Sequence, residues 1–309
     1  MTLTVTLNPC IDKTIEVEKY EIDKINHVNN VEYEAGGKGI NVSRVLHNLG
    51  VDVTALCLIG GKTGNEIENL MDRDNIQYHS VKIKEPNRVV TTIREVTNNK
   101  QTVFMEKGPN IDESEINKLI LEYRILLKKS DIVILSGAYA NETMNGIYPK
   151  LIDEANYLGL KVILDSHGIG LTESINKKLF LIKPNIDELS EIIGKQIKED
   201  DDIKKTLETF PKKNIENIVV SMGKSGAVFK NKEIMLKGYP PNINEINPVG
   251  SGDSFVAGLV YGIVNGFTWI DSLKYAISAG AANAAMWTAA NCNKTQIEKL
   301  FSKVKISCY

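Results

Sequence analysis

The stretch Asn247-Pro248-Val249-Gly250-Ser251-Gly252-Asp253-Ser254, followed at once by the apolar run 255–264, decides how this chain is read. Two glycines one residue apart let the backbone turn tightly with its N–H groups pointing one way. A helix that starts near Asp253 adds the partial positive charge of its N-terminus. Turn and helix start together make an anion hole suited to a phosphoryl group, built on Gly250, Ser251 and Gly252. Asp253 then stands where a carboxylate can accept a proton from an attacking hydroxyl. A plain helix N-cap also uses Asp or Ser, so the motif needs company before it assigns a chemistry.

The surrounding pattern supplies that company. Short apolar runs rich in β-branched residues recur at 2–7, 53–59, 132–135, 162–164, 179–182 and 218–221. Helical patterns lie among them at 40–48, 65–74, 114–128 and 145–158. This alternation predicts an α/β fold: a mostly parallel sheet covered by helices on both faces, in three α/β/α layers. The last third is helical, over 254–265, an alanine-rich 270–288, and 295–304.

Two segments break the rhythm. Residues 13–33 and 88–104 alternate with period two, and the second carries the turn signal Asn98-Asn99-Lys100. They predict a small inserted β lid, 11–35 with 87–107, set into a main domain of 1–10, 36–86 and 108–309. A small sheet cannot bury both faces by itself. It is expected to cover a cleft or to pair with a second copy as a homodimer.

Bulk properties narrow the class. The 309 residues with 42% apolar content can bury a sizeable core, and a net charge of −2 gives no electrostatic case for nucleic acid. The four cysteines, Cys10, Cys57, Cys292 and Cys308, form no C-x-x-C pair, and with four scattered histidines they predict no zinc site. The start of the chain is neither basic nor long and apolar, so a soluble, cytoplasmic protein is expected.

Other motifs fall at strand ends. Ala35-Gly36-Gly37-Lys38-Gly39-Ile40-Asn41 opens a helix, and its glycines permit close approach to a ligand. Asn8-Pro9-x-x-Asp12 ends the first strand, where Asp12 can hold sugar hydroxyls or simply shape a turn. Lys183-Pro184-Asn185-x-x-Glu188 enters a helix. Asn185 and Glu188 can share a face and hold Mg²⁺ through water, with Asp165 joining them, or can form a helix cap. Two sequences imitate other sites. Gly61-Lys62-Thr63 and Gly223-Lys224-Ser225 lack the earlier glycine of a P-loop, since Leu56 and Ile218 stand there. Gly37-Lys38-Gly39 is followed by Val42 rather than the third glycine of a dinucleotide fingerprint.

The ordered set of Asn8-Pro9-x-x-Asp12, Gly36-Gly37-Lys38-Gly39-x-Asn41, Lys183-Pro184-Asn185-x-x-Glu188, Ser221-x-Gly223-x-x-Gly226 and Gly250-Ser251-Gly252-Asp253 resembles the ribokinase-like (PfkB) carbohydrate kinases along nearly the whole chain. The resemblance implies transfer of phosphate from Mg²⁺-ATP to a sugar hydroxyl. It implies Asp253 as base, with Gly250, Ser251 and Gly252 as anion hole. It places Asp12, Gly37, Lys38, Asn41 and Ser136 against the sugar, and Arg88 with Lys107 against a substrate phosphate. Lys183, Asn185, Ser221, Gly223 and Gly226 fall on the nucleotide, Asn283 on its adenine side, and Asn185, Glu188 and Asp165 near the metal.

Within the family, Thr6-Leu7-Asn8-Pro9-Cys10-Ile11-Asp12 resembles the branch of tagatose-6-phosphate kinases and 1-phosphofructokinases, and Glu106-Lys107-Gly108-Pro109 is closer to the former. That implies a ketohexose phosphate as acceptor, tagatose 6-phosphate or fructose 1-phosphate. Other sugars or nucleosides in the same fold, or a ligand-binding protein without catalysis, are the alternatives. One departure is Ser136-Gly137-Ala138-Tyr139-Ala140, where relatives usually carry Ser-Gly-Ser-Leu-Pro; the bulk of Tyr139 bears on the acceptor's shape.

Overall fold

Apolar runs bounded by turns become the strands of two sheets. In chain order the strands are β1 (Thr2–Thr6), β2 (Cys10–Val17), β3 (Asn30–Gly36), β4 (Val53–Gly60), β5 (Tyr78–Ile83), β6 (Arg88–Glu95) and β7 (Lys100–Met105). They continue with β8 (Ile132–Ser136), β9 (Lys161–Asp165), β10 (Leu179–Ile182), β11 (Ile215–Ser221), β12 (Ala227–Lys230), β13 (Met235–Tyr239) and β14 (Lys305–Cys308). The computed structural model describes residues 1–197, 200–210 and 214–309.

The large sheet runs β14-β13-β12-β11-β10-β9-β8-β1-β4-β5, parallel from β11 to β5, with an antiparallel edge at β12 to β14. The inner parallel strands are buried on both faces, so alternate residues serve different cores, while the edge strand β5 is only half covered. Val133 and Leu135 of β8 face one layer, while Ile132 and Ile134 face the other.

The first layer holds α3 (Glu113–Leu127), α4 (Ile147–Tyr157), α5 (Ile169–Ser174), α6 (Ile186–Ile193) and α7 (Asp200–Glu208). Against the opposite face lie α1 (Lys38–Asn48), α8 (Ser251–Val264), α9 (Trp269–Ala284) and α10 (Lys294–Phe301), with α2 (Gly61–Arg73) beside β4. This is the ribokinase-like α/β architecture. Among the described residues no helix is long and apolar enough to cross a membrane.

The small sheet has the order β3-β2-β6-β7. The chain turns back between β6 and β7 at residues 96–99, where Asn99 takes φ 49°. Ile11, Val90 and Thr92 are buried on this sheet, while Val31, Tyr33, Val103, Phe104 and Met105 are exposed.

Two helix ends need correction, and one part of the sheet had no counterpart in the expectations. The antiparallel edge β12 to β14 was not read from the sequence. Its strands are four or five residues long and interrupted by glycine and lysine, which weakens any periodicity. The alanine-rich helix stops at Ala284 instead of running to 288, because residues 285–290 leave the helix for a loop in which Ala290 has φ 47°. The last helix ends at Phe301, and the chain then returns to the sheet as β14.

Helix α8 carries Asp253 and crosses α9 closely, because small residues line the contact. A Cβ built on Gly258 would lie 2.8 Å from the Cβ of Ala279 and 2.8 Å from the Tyr275 carbonyl oxygen. Replacing Gly258 with Val is therefore expected to wedge the helices apart and destabilise the protein by about 1–3 kcal/mol, the usual cost of overpacking. Urea unfolding measures this; an unchanged midpoint would contradict the close crossing.

Candidate active site

Parallel strands deliver polar residues to one edge of the large sheet. Ser136 ends β8, Asp165 ends β9 and Ser221 ends β11, while Asn8 follows β1 and Lys183 follows β10. These are C-terminal strand ends, where open α/β sheets take their ligands. A hollow of about 600 Å³, lined by Asp52, Asp131, Lys161 and Lys294 among others, lies instead at the opposite strand ends, away from these groups.

Two helix starts complete the edge. Gly37 caps α1 with φ 110°, a conformation suited to glycine, and a Cβ there would press to 2.7 Å from Thr6 Cγ2. The turn brings Lys38 and Asn41 over the sheet. Gly250 caps α8 with φ 77°, and a Cβ there would come 2.7 Å from the Ala290 nitrogen. Asp253 sits in the first turn of α8 and is buried.

The backbone N–H groups at the start of α8 are not all alike. The Ser251 N–H donates to the Pro248 carbonyl at 3.1 Å, so a turn already uses it, and Ser254 N–H donates to Gly250 at 2.8 Å. The amides of Gly252 and Asp253 lie between these, in the first turn, where no intrahelical carbonyl reaches them. They are the donors suited to an anion. Lys183 Nζ would stand 4.0 Å from a Cβ on Gly252, so a cation faces the same spot.

Asn41 Nδ2 donates to Asp253 Oδ2 at 2.8 Å and holds the carboxyl in place. Burial raises its pKa, the nearby Asp165 adds to the rise, and Lys38, Asn41 and Lys183 oppose it; the balance puts Asp253 at about 6. Asp165 behaves oppositely. Burial works against its charge, but Lys183 and Lys38, at 3.1 and 3.5 Å from Oδ1, hold its carboxyl below the usual range. Two lysines thus favour the charged form of one buried carboxyl, while burial pushes its neighbour up to about 6.

Asp12, Ser136 and Arg88, expected on the sugar phosphate, stand at or beside the same strand-end edge. Burial raises the Asp12 pKa, and Cys10 Sγ donates to its Oδ1 at 3.4 Å. Arg88 reaches the carbonyls of Glu106 and Asn8 only at 3.4 Å each, and its Nε is buried without a partner among the described residues. Asn8 Oδ1, Ser136 Oγ and Asp165 Oδ2 are buried and likewise unpaired, a concentration that marks a ligand-binding edge. Lys107 is exposed beside Gly108, whose backbone crosses Asn8 and Ala140. The Tyr139 ring tilts against Tyr148, and its hydroxyl donates to Glu173 at 3.2 Å, so its bulk is committed to that packing.

Beyond the α8 start lies a cleft of about 600 Å³, lined by Ser221, Gly223, Gly226, Pro241, Phe255 and Ile277 among others. Asn283, expected on its adenine side, is fully buried and spends its amide elsewhere. It donates to Val249 O at 2.8 Å and Ser251 Oγ at 3.0 Å and accepts from Ala290 N–H. Its amide holds the loop that leads into α8, while Ala281 and Ala284 of the same last turn line the cleft.

Asn185 and Glu188 form a capping box on α6, each side chain accepting from the other's backbone N–H at 2.8 Å. That bond uses one oxygen of Glu188 and leaves the second. Among the described residues no three acidic, sulfur or imidazole side chains converge as a metal cage. A Mg²⁺ held mainly by phosphate oxygens and water, as Mg²⁺ prefers, fits this sparse set, with the second Glu188 oxygen and Asp165 Oδ2 in reserve.

Four side chains were not singled out from the sequence. Arg44, buried in α1, donates to Asn41. Glu34 of β3 accepts from Ala289 N–H at 3.1 Å, and the Arg94 guanidinium lies 4.6 Å from the Trp287 ring centre. Gln101 of β7 donates to Asn247 Oδ1 at 3.3 Å. The small sheet therefore touches the very loops that shape the anion hole. The spacing Asn41-x-x-Arg44 places those two residues on one helix face, whereas the contacts of Glu34, Arg94 and Gln101 leave no mark in the sequence.

Known proteins bear on this geometry. A family model described as pfkB family carbohydrate kinase matches residues 5–296. The chain is 35% identical over 309 residues to a tagatose-6-phosphate kinase of Staphylococcus epidermidis, covering 99% of each. It is 32% identical over 307 residues to a 1-phosphofructokinase of Borreliella burgdorferi, covering 99% of this chain and 98% of that one. In fold it matches the crystal structure of Escherichia coli phosphofructokinase-2 in complex with substrates and products, with TM-score 0.90 at 24% identity over 97% of this chain and 98% of the other. With the family model spanning nearly the whole chain, and relatives above 30% identity aligned end to end, this protein belongs to the pfkB family of carbohydrate kinases.

Proposed function

We propose that the chain is an ATP-dependent phosphosugar kinase. It transfers the γ-phosphate to the free primary hydroxyl of a ketohexose phosphate, tagatose 6-phosphate or fructose 1-phosphate, giving the 1,6-bisphosphate. The observation that carries this reading is Asp253: a buried carboxyl poised near neutrality, beside free helix-start amides, between a polar sheet edge and an open cleft.

In this reading ATP occupies the cleft along Ser221, Gly223 and Gly226, and its terminal phosphate meets the amides of Gly252 and Asp253. Lys183 and Lys38 stand near to compensate its charge. The sugar lies against Asp12, Gly37, Lys38, Asn41 and Ser136, with Arg88 and Lys107 on its existing phosphate through charge-assisted hydrogen bonds. Mg²⁺, when bound with ATP, neutralises charge on the phosphates. Asp253 takes the proton from the sugar hydroxyl as its oxygen bonds to the γ-phosphorus and ADP leaves. The small sheet acts as a lid that excludes water, which would otherwise accept the phosphate.

The face of that lid that carries Val31, Tyr33 and Phe104, 37–51% exposed and set on one side of the sheet by its register, pairs two chains as a homodimer. Sedimentation at twice the chain mass, reduced to single mass by Phe104→Glu, is expected; a monomeric wild type would exclude this pairing.

Turnover tests the base. Asp253→Asn is expected to lower kcat on the order of 10²–10⁴-fold while ATP still binds. Because Asp253 must be ionised to accept a proton, kcat of the wild type should fall below pH about 6, where that carboxyl protonates. Near-normal turnover by the variant, or a wild-type rate that stays level down to pH 5, would rule the role out.

Substrate class is read through Arg88. Arg88→Ala is expected to raise KM for a ketohexose phosphate by roughly 10–100-fold, the loss of a charge-assisted contact, and to leave KM for an unphosphorylated sugar almost unchanged. Equal effects on both would favour a neutral acceptor.

A further inference from the structure

Arg44 lies one turn after Asn41 on α1 and is only 1% exposed, which is unusual for an arginine. Its fork has three partners. Nε donates to Asp74 Oδ2 at 2.9 Å, Nη2 to the Ala35 carbonyl, and Nη1 to Asn41 Oδ1 at 3.0 Å. A guanidinium has donors and no acceptor. The atom of Asn41 that faces it must therefore be the carboxamide oxygen. The Asn41 NH₂ is then turned the other way, toward Asp253 Oδ2 at 2.8 Å.

We infer that Arg44 is a positioning residue: it locks the Asn41 amide so that its NH₂ always donates to the carboxylate of Asp253. This rests on Asp253 being the base. With the amide reversed, Asn41 would aim an oxygen at Asp253, and the carboxyl would retain its proton to donate in return. A protonated Asp253 cannot accept from the sugar. Arg44 thus biases the base toward its working form from one residue away.

The charged and titratable groups around Asp253 are Lys38 on α1, Asp165 at the end of β9, Lys183 after β10, and Cys10 at the start of β2. None of these bonds to Arg44 among the described residues; Asn41 does. Arg44 also lowers the pKa of Asp12 and Glu34 by its charge. That second route acts on sugar binding and on the lid, so it appears in KM rather than in the pH dependence of kcat.

The test is a double-mutant cycle on the purified full-length protein, with kcat and KM followed from pH 5 to 8.5 for wild type, Arg44→Gln, Asn41→Ala and the pair. Glutamine both donates and accepts, so it no longer dictates the amide's direction. Arg44→Gln is expected to move the acid limb of kcat up by roughly one pH unit, the size of one lost charge-assisted hydrogen bond. From a starting pKa of about 6 this lowers kcat roughly fivefold at pH 6 and roughly twofold at pH 7. In the Asn41→Ala background the same change should add nothing.

An unmoved acid limb, effects that multiply in the pair, or a change confined to KM would overturn the inference. If Arg44→Gln does not fold, Arg44→Gln with Asp74→Asn removes the stranded partner charge and gives the same readout. Asp253→Asn separates the two claims. If that variant turns over, the base reading fails. If it is inactive while the cycle multiplies, only the role of Arg44 fails.

Discussion

A carboxylate that is to work as a base at neutral pH must be kept out of water without being driven to hold its proton permanently. Burial alone raises the pKa of an acid by several units. Asp253 is buried at a helix start and settles at about 6, because Asn41 donates to it and Lys38 and Lys183 stand nearby. Asp165 is the counterweight. It takes both lysines as ion-pair partners, so neither is a buried charge left alone. The proposed chemistry depends on this arrangement of two carboxyls, two lysines and one amide.

The fold supplies the arrangement by ordinary means. Parallel strands end together, so Ser136, Asp165, Lys183 and Ser221 arrive at one edge although they are far apart in sequence. Two glycine-capped helices, α1 and α8, deliver Asn41 and Asp253 from opposite ends of the chain, 212 residues apart, to within hydrogen-bonding distance. The small sheet then reaches the loops at 247–251 and 285–290 through Glu34, Arg94 and Gln101. A sugar bound beneath that sheet would meet a lid already tied to the anion hole.

Much of this was legible in the sequence. The six buried strands announced themselves as apolar runs, since a parallel strand covered on both faces has no polar alternation to confuse it. Gly250-Ser251-Gly252-Asp253 was readable because tight turns and helix starts demand particular residues. The antiparallel edge was not, because short strands containing Gly226's neighbour Ala227, Lys230 and Lys237 carry little period. Direction about a helix axis was also hidden. Asn283 falls near the nucleotide in sequence order, yet faces the anion-hole loop. Arg44 looks like any solvated helix arginine until Asp74, Ala35 and Asn41 are seen around it. Asn185 and Glu188 fit either a helix cap or a metal site by spacing alone, and in the fold they form a capping box that leaves one Glu188 oxygen unused by it.

The most direct measurement is a crystal structure of the protein with a non-hydrolysable ATP analogue, Mg²⁺ and tagatose 6-phosphate bound together. The account predicts the primary hydroxyl of the sugar within roughly 2.6–3.2 Å of an Asp253 carboxylate oxygen, facing the terminal phosphate. A sugar hydroxyl aimed at the phosphate from another side, with a different group in reach of its proton, would contradict it.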